Sequence, residues 1–173
     1  MKLFTRNRLI GLVLALAVFL ADQAIKAWVI GIRLREVQVI EVVSFFRLSW
    51  VENYGVSLGF LTANSMEMRW GLVVLTMGIA LVVLVWLLRE TLLADIAPLA
   101  LVLGGAMGNI RDRVNYGFVV DYADLHFGDF RPFLVFNLAD AAITIGVLII
   151  LARSFLSREK REEEDAGAKP SEI

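Results

Sequence analysis

The chain has 173 residues, a formal net charge of -1 and a hydrophobic fraction of 58%. A chain this apolar is an integral membrane protein rather than a water-soluble domain, and its balanced charge gives no sign of a nucleic-acid partner. The absence of cysteine excludes thiol nucleophiles, disulfides and cysteine metal sites. The single histidine, His126, cannot build a nitrogen and sulfur metal site by itself, so no metal is predicted.

Four apolar segments predict four transmembrane helices, at about 9–30, 69–89, 92–112 and 132–156. A cleaved signal peptide is the competing interpretation of the first segment, because it has a basic start and a short apolar core. No small-x-small cleavage site follows Ala21 at the right place, and we therefore predict a span. Residues 1–156 then form a single membrane domain.

The charges at the two ends of the chain predict its orientation. Basic residues precede the first span and follow the fourth, which places both termini in the cytoplasm by the positive-inside rule. Residues 157–173 are highly charged and predict a disordered cytoplasmic tail.

An extramembrane lobe is predicted between the first two spans, at about 32–60. Its short β-branched runs predict two or three strands on the outer face. The fold class is therefore an all-α membrane protein with a small β element. Asn53 lies in this lobe beside Gly55, and its local sequence is more typical of a turn than of a site.

Several polar residues interrupt the apolar pattern near the span ends. Asp22 precedes Lys26 by one helical turn, which is equally compatible with an interfacial ion pair and with a functional role. Asp140 lies in the fourth span, where a carboxylate is costly and usually functional. Gly104 and Gly108 have GxxxG spacing, which predicts the close approach of a neighbouring helix.

The alternation of the spans brings these polar residues to one end of the bundle. On the fourth span, Asn137, Asp140 and Thr144 share a helical stripe. If that helix begins near Pro132, Asp140 lies about 12 Å along it. Arg113, near the end of the third span, is predicted to act as a counter-charge for a carboxylate. The residues expected to converge at the outer face are Asp22, Asn53, Asn109, Arg113, Asp121, Asn137 and Asp140.

Asp121 and Asp140 are separated only by a loop and the start of a helix, so their side chains can meet. Two aspartates that share a proton can hydrolyse an amide, one acting as a base toward water and the other donating to the carbonyl. The structural alternative is that Asp121 caps a loop while Asp140 pairs with Arg113, and the residues alone leave both open. For Asp112, Asp124 and His126 we predict solvated or interfacial positions.

Five sequence blocks, taken together and in order, resemble lipoprotein signal peptidase, also called signal peptidase II. The resemblance covers nearly the whole chain except the charged tail. It implies an aspartic endopeptidase of the bacterial cytoplasmic (inner) membrane that removes the signal peptide from prolipoproteins, cutting before a diacylglyceryl-modified cysteine. The blocks are ADQAIK (21–26), NYGVSLGF (53–60), GGAMGNIRDR (104–113), VVDYAD (119–124) and FNLADAAI (136–143).

The resemblance also implies roles for individual residues. Asp121 and Asp140 would be the catalytic pair, and no cofactor is implied. Separately, we predict a monomer in contact with membrane lipid. A β-cradle on the outer, periplasmic face would come from the runs around Val37 to Val51. The residues that support the aspartates or hold the substrate would be Asp22, Asn53, Asn109, Arg113 and Asn137.

Two other functions are compatible with four spans. A small ion-coupled carrier would use Asp22, Arg113 and Asp140 as a relay, but no inverted repeat is visible and the polar residues stop in the outer half. A scaffold protein would leave the cost of burying Asp140 uncompensated. The peptidase is therefore the predicted function.

Overall fold

The computed structural model describes residues 5–55, 66–128 and 130–167. Within these residues, four helices are long and apolar enough to cross a membrane, which confirms the four predicted spans. The predicted lobe residues 56–60 lie outside the described residues. The elements in chain order are α1 (Arg6–Gly31), α2 (Leu34–Val37), β1 (Val39–Val43), β2 (Phe46–Asn53), α3 (Met66–Arg89), α4 (Leu93–Asn115), β3 (Val119–Leu125) and α5 (Leu138–Gly167).

Helix α4 is the centre of the bundle. It packs against α1, α3 and α5, and more of its surface is buried than that of the other three spans. Leu99 and Leu103 of α4 join Ala15, Ala80 and Leu87 in the main apolar core. The other three helices leave large apolar side chains exposed, as expected for surfaces that face lipid.

Glycines on α4 allow the neighbouring helices to come close. A Cβ atom on Gly104 would clash with the carbonyl oxygen of Ala15, and one on Gly108 would clash with the Asp22 carboxylate. The predicted GxxxG contact is therefore confirmed, with α1 as the partner. This close packing brings Asp22 into the space between α1 and α4.

The three strands form one antiparallel sheet in the order β1-β2-β3. Strands β1 and β2 fall within the predicted lobe, but β3, which carries Asp121, was predicted to be a loop. That prediction is wrong because β3 does not alternate between apolar and polar residues. Nearly all of its side chains are buried. It is a strand because its backbone pairs with β2, which lies far away in the sequence.

Both ends of the fourth span differ from the prediction. Helix α5 begins at Leu138 rather than near Pro132, because backbone hydrogen bonds between Phe136 and Ala123 hold the preceding residues extended. Asp140 therefore lies in the first turn and not two turns along. At the other end, the helix continues through residues 157–167, in keeping with the helix preference of Glu, Lys and Arg. The remaining residues of the predicted tail, 168–173, lie outside the described residues.

Candidate active site

The start of α5 is fixed by a reciprocal capping arrangement. The side-chain oxygen of Asn137 accepts from the Asp140 backbone N–H at 2.9 Å, and the Asp140 Oδ2 accepts from the Asn137 backbone N–H at 3.2 Å. A capping box of this kind satisfies two otherwise unpaired helix donors. The local sequence thus places the Asp140 carboxylate at the helix N-terminus, where a negative charge is favoured.

Asn137 also connects Asp140 to the second aspartate. Its Nδ2 donates to Asp121 Oδ1 at 2.7 Å, and the other Asp121 oxygen accepts from Asn53 Nδ2 at 3.0 Å. Asn137 and Asp121 are almost completely buried, whereas Asp140 is partly exposed. One asparagine therefore holds both predicted catalytic carboxylates in place.

Asn109 of α4 supplies the other contact to Asp140. Its Nδ2 donates to Asp140 Oδ1 at 2.8 Å, while its Oδ1 accepts from Lys26 Nζ at 3.1 Å. An ammonium group can only donate, so Lys26 determines which end of the Asn109 amide faces Asp140.

Lys26 lies in a buried ion cluster with two carboxylates. Its Nζ is 2.9 Å from Asp22 Oδ2 and 2.8 Å from Asp112 Oδ2, and all three side chains are at most 2% exposed. Asp22 also accepts from the Ala139 N–H at 3.1 Å, and Asp112 accepts from the Val120 N–H at 3.2 Å. The cluster thus ties the start of α5 and the start of β3 to α1 and α4.

This cluster corrects two predictions. The Asp22–Lys26 pair forms as predicted but is buried rather than interfacial, and Asp112 is not solvated. Asp112 is covered because β3 folds back over the end of α4. Sequence reasoning missed Lys26 and Asp112 as members of the site. The four-residue spacing of Asp22 and Lys26 was the available signal, and no sequence pattern marks Asp112.

Asp124 and His126 lie away from the aspartate pair. Asp124 is buried, contrary to prediction, and its Oδ2 accepts from Arg47 Nε at 2.8 Å and Ser49 Oγ at 3.2 Å. Burial alone would raise the pKa of Asp124, but these hydrogen bonds and the neighbouring arginine charges lower it below its usual value. His126 is partly buried, and its Nε2 lies 3.5 Å from Glu41 Oε2.

The predicted pairing of Arg113 with Asp140 is not present. Within the described part of the chain, Arg113 forms no ion pair, and its buried Nε has no hydrogen-bond partner. The Asp140 oxygens accept instead from Asn109 and Asn137. The charge of Arg113 still acts on Asp140 and Asp121 through space.

A cavity of about 630 Å³ opens beside the two aspartates. Its polar end contains Asn53, Asp121 and Asp140. The rest of its wall comes from the segment before α5 and from one face of α5. These remaining residues are Pro132, Phe133, Leu134, Val135, Phe136, Ala141, Thr144 and Ile145.

Asp121 has an unusual acidity. Burial raises the pKa of Asp121 to about 7, and the negative charge of Asp140 adds to the rise. The hydrogen bonds from Asn53 and Asn137 act in the opposite direction without cancelling it. Near neutral pH this carboxyl therefore holds a proton part of the time beside a second carboxylate, as an acid-base pair requires.

Residues 14–156 match the family model described as signal peptidase (SPase) II. The chain belongs to the signal peptidase II family. A lipoprotein signal peptidase of Sphingopyxis alaskensis is 50% identical over 163 residues, which cover 93% of this chain and 92% of that relative. A lipoprotein signal peptidase of Rhizorhabdus wittichii is 52% identical over 156 residues, which cover 90% of this chain and 91% of that relative. The chain is therefore a peptidase of this family, as predicted.

Solved structures agree with the fold. A bacterial membrane enzyme solved by the in meso method at 1.9 Å resolution has 27% sequence identity and a TM-score of 0.71, covering 83% of this chain and 91% of its own. A second, solved at 2.3 Å, has 24% identity and a TM-score of 0.73, covering 95% and 94%, and supports the fold alone. Nothing in these comparisons favours the carrier interpretation.

Proposed function

We propose that this member of the signal peptidase II family is a membrane-embedded aspartic endopeptidase. Its substrate is a diacylglyceryl-modified prolipoprotein, which it cuts immediately before the lipid-bearing cysteine to release the signal peptide. One observation carries the proposal: Asn137 donates to both carboxylates, to Asp121 from its side chain and to Asp140 from its backbone N–H, and both aspartates line the same cavity. The enzyme works as a monomer without a cofactor.

The two aspartates divide the chemistry between them. Asp140, which is partly exposed and receives two N–H donors, is the carboxylate that takes a proton from the attacking water. Asp121, with its pKa raised to about 7, donates a proton to the carbonyl oxygen of the scissile bond. As the tetrahedral intermediate collapses, the proton on Asp140 passes to the leaving nitrogen and one hydroxyl of the intermediate returns its proton to Asp121. The C–N bond breaks, and both aspartates regain their starting protonation states.

Other polar residues keep this pair in position. Asn53, Asn109 and Asn137 supply N–H donors, so each carboxylate oxygen is hydrogen-bonded before substrate arrives. Asp22 holds the first turn of α5 through the Ala139 N–H. Arg113 has an unpaired donor and lies close enough to act electrostatically on the pair, and its role is to bind a carbonyl group of the substrate backbone.

The charge pattern of the chain supports an orientation for this site in the bacterial inner membrane. Basic residues at both ends favour cytoplasmic termini, and in that orientation the sheet and the aspartate pair face the outer side. Asp140 lies in the first turn of α5 and therefore near one end of that span. A substrate whose lipid stays in the bilayer presents its scissile bond near the end of a span.

The test is cleavage of a defined substrate by the purified protein. Wild type and Asp140→Asn are incubated with a diacylglyceryl-modified prolipoprotein and, in parallel, with the same precursor lacking the lipid. We expect wild type alone to release a product whose first residue, read by mass spectrometry, is the lipidated cysteine, with no change on adding a chelator. Cleavage by Asp140→Asn, or loss of cleavage with the chelator, contradicts the metal-free aspartate mechanism.

A further inference from the structure

The wall of the aspartate cavity contains exposed apolar side chains. Phe133 and Leu134, in the segment between β3 and α5, line it and are 62% and 71% exposed. Large apolar residues exposed at the mouth of a polar site usually mark contact with a ligand or with lipid. These two residues form the outer rim of the cavity.

One face of α5 continues the apolar surface away from the carboxylates. Ala141, Thr144 and Ile145 line the cavity on the face that carries Asp140. Ile145 lies about 7.5 Å from Asp140 along the helix axis. Its side chain and that of Leu148, three residues later, are both more than half exposed. The cavity therefore opens sideways onto a helix surface that faces lipid.

We propose that Phe133, Leu134 and Ile145 form a binding site for the acyl chains of the diacylglyceryl group on the substrate cysteine. The proposal rests on the proposed function. The scissile peptide bond occupies the polar end of the cavity, at Asp121 and Asp140. The lipidated residue is the next one along the chain, about 3.8 Å away, so its acyl chains leave along the nearest apolar wall and pass into the bilayer.

The signal peptide itself is the competing occupant of this wall. Within a bilayer its backbone must be helical to satisfy its hydrogen bonds, and a helix is about 10 Å across. The bond under attack must be unwound to reach both aspartates, so the helix can resume only several residues earlier. The acyl chains, in contrast, start at the residue beside the reacting bond and are the first apolar groups to reach Phe133 and Leu134.

Photocrosslinking identifies the occupant directly. The full-length Asp140→Asn protein in lipid nanodiscs receives a synthetic lipopeptide with a diazirine near the glyceryl end of one acyl chain. A second lipopeptide has the diazirine on a signal-peptide side chain two helical turns before the cysteine. We expect the acyl probe to label the segment 133–134 or residues 144–148. Labelling of these residues by the peptide probe, with the acyl probe elsewhere, overturns the assignment.

A pair of matched variants tests the same site by kinetics. Phe133→Ser should raise KM for the diacylglyceryl substrate about tenfold with little change in kcat, the size expected for losing part of an apolar contact. Phe130→Ser is the control, because Phe130 is 67% exposed in the same segment but does not line the cavity. The Phe133 ring also contacts Phe136, so its loss could disturb the local packing. Leu134→Ser is therefore the second variant and tests the same wall at another residue.

The outcomes separate this inference from the proposed function. Equal KM values for wild type, Phe133→Ser and Leu134→Ser overturn the acyl site while cleavage itself stands. If wild type does not cleave but the acyl probe still labels 133–134, the lipid site is supported and the peptidase mechanism fails.

Discussion

Two pairs of carboxylates lie at the sheet end of the bundle, and they differ in what compensates their charge. Asp22 and Asp112 share the ammonium group of Lys26 and are closed off from the surface. Asp121 and Asp140 receive hydrogen bonds from neutral amides and line a cavity. A buried ion cluster of the first kind fixes structure, whereas a pair without its own cation retains the proton-binding capacity that catalysis needs.

The largest expected effect is on the cleavage rate, when an aspartate of the Asp121 and Asp140 pair is replaced. Asp140→Asn should lower the cleavage rate at least 10³-fold, on the order of losing an essential acid-base group, while its melting temperature stays close to that of wild type. Asn retains an acceptor for the Asn137 backbone N–H, so the capping box survives. Asp140→Ala should lose the same activity and in addition about 1 kcal/mol of stability. A fully active, folded Asp140→Asn protein would remove Asp140 from the mechanism.

Lys26→Met should produce the largest loss of stability. Removing the cation of the cluster leaves the buried carboxylates of Asp22 and Asp112 without a counter-charge, which typically costs about 3–5 kcal/mol. Thermal unfolding in detergent measures the change, and Arg33→Gln is the control because its ion pair with Glu36 is exposed. If both variants unfold at the wild-type temperature, the cluster does not stabilise the bundle.

The pH profile of cleavage should show the proton on Asp121. Because Asp121 acts in its protonated form, kcat/KM should fall as the pH rises through about 7, where this carboxyl loses its proton. Asn53→Ala removes a hydrogen bond that lowers the pKa of Asp121, so the fall should move to higher pH. A profile that stays flat above pH 7 in wild type, or an Asn53→Ala shift toward lower pH, is incompatible with this assignment.

The smallest effect is expected at Asp124, the other buried carboxylate on β3. Its partners are Arg47 and Ser49 of the sheet, and it does not line the aspartate cavity. Asp124→Asn should keep cleavage within a few-fold of wild type and cost about 1 kcal/mol of stability, measured by unfolding. An inactive Asp124→Asn beside an active Asp121→Asn would show that the wrong β3 carboxylate had been assigned.

The spans and much of the site could be predicted from sequence because both leave local signals. Hydropathy marks the four helices, and the three-residue spacing of Asn137 and Asp140 predicts that they lie close together near the start of the fourth span. The family resemblance added a supporting role for Asn53 and Asn109, whose contacts with the aspartates cross long sequence distances.

The features that sequence reasoning missed depend on tertiary packing. Strand β3 has no alternating pattern, because its pairing with β2 and its cover bury both of its faces. Asp112 resembles a helix-end charge until β3 covers it, and Asp140 accepts hydrogen bonds from Asn109 and Asn137 rather than pairing with Arg113. The spacing of charges along one helix predicts neither which of them will be buried nor which donors will reach a given carboxylate.

The most direct test of the contrast between the two pairs is cleavage per folded molecule for three single variants, Asp112→Asn, Asp121→Asn and Asp140→Asn. Each is assayed on a diacylglyceryl-modified prolipoprotein and normalised to the folded fraction. The contrast predicts that Asp121→Asn and Asp140→Asn are folded and inactive, and that Asp112→Asn is less stable but turns over within about tenfold of wild type. An inactive, fully stable Asp112→Asn beside an active Asp121→Asn would contradict it.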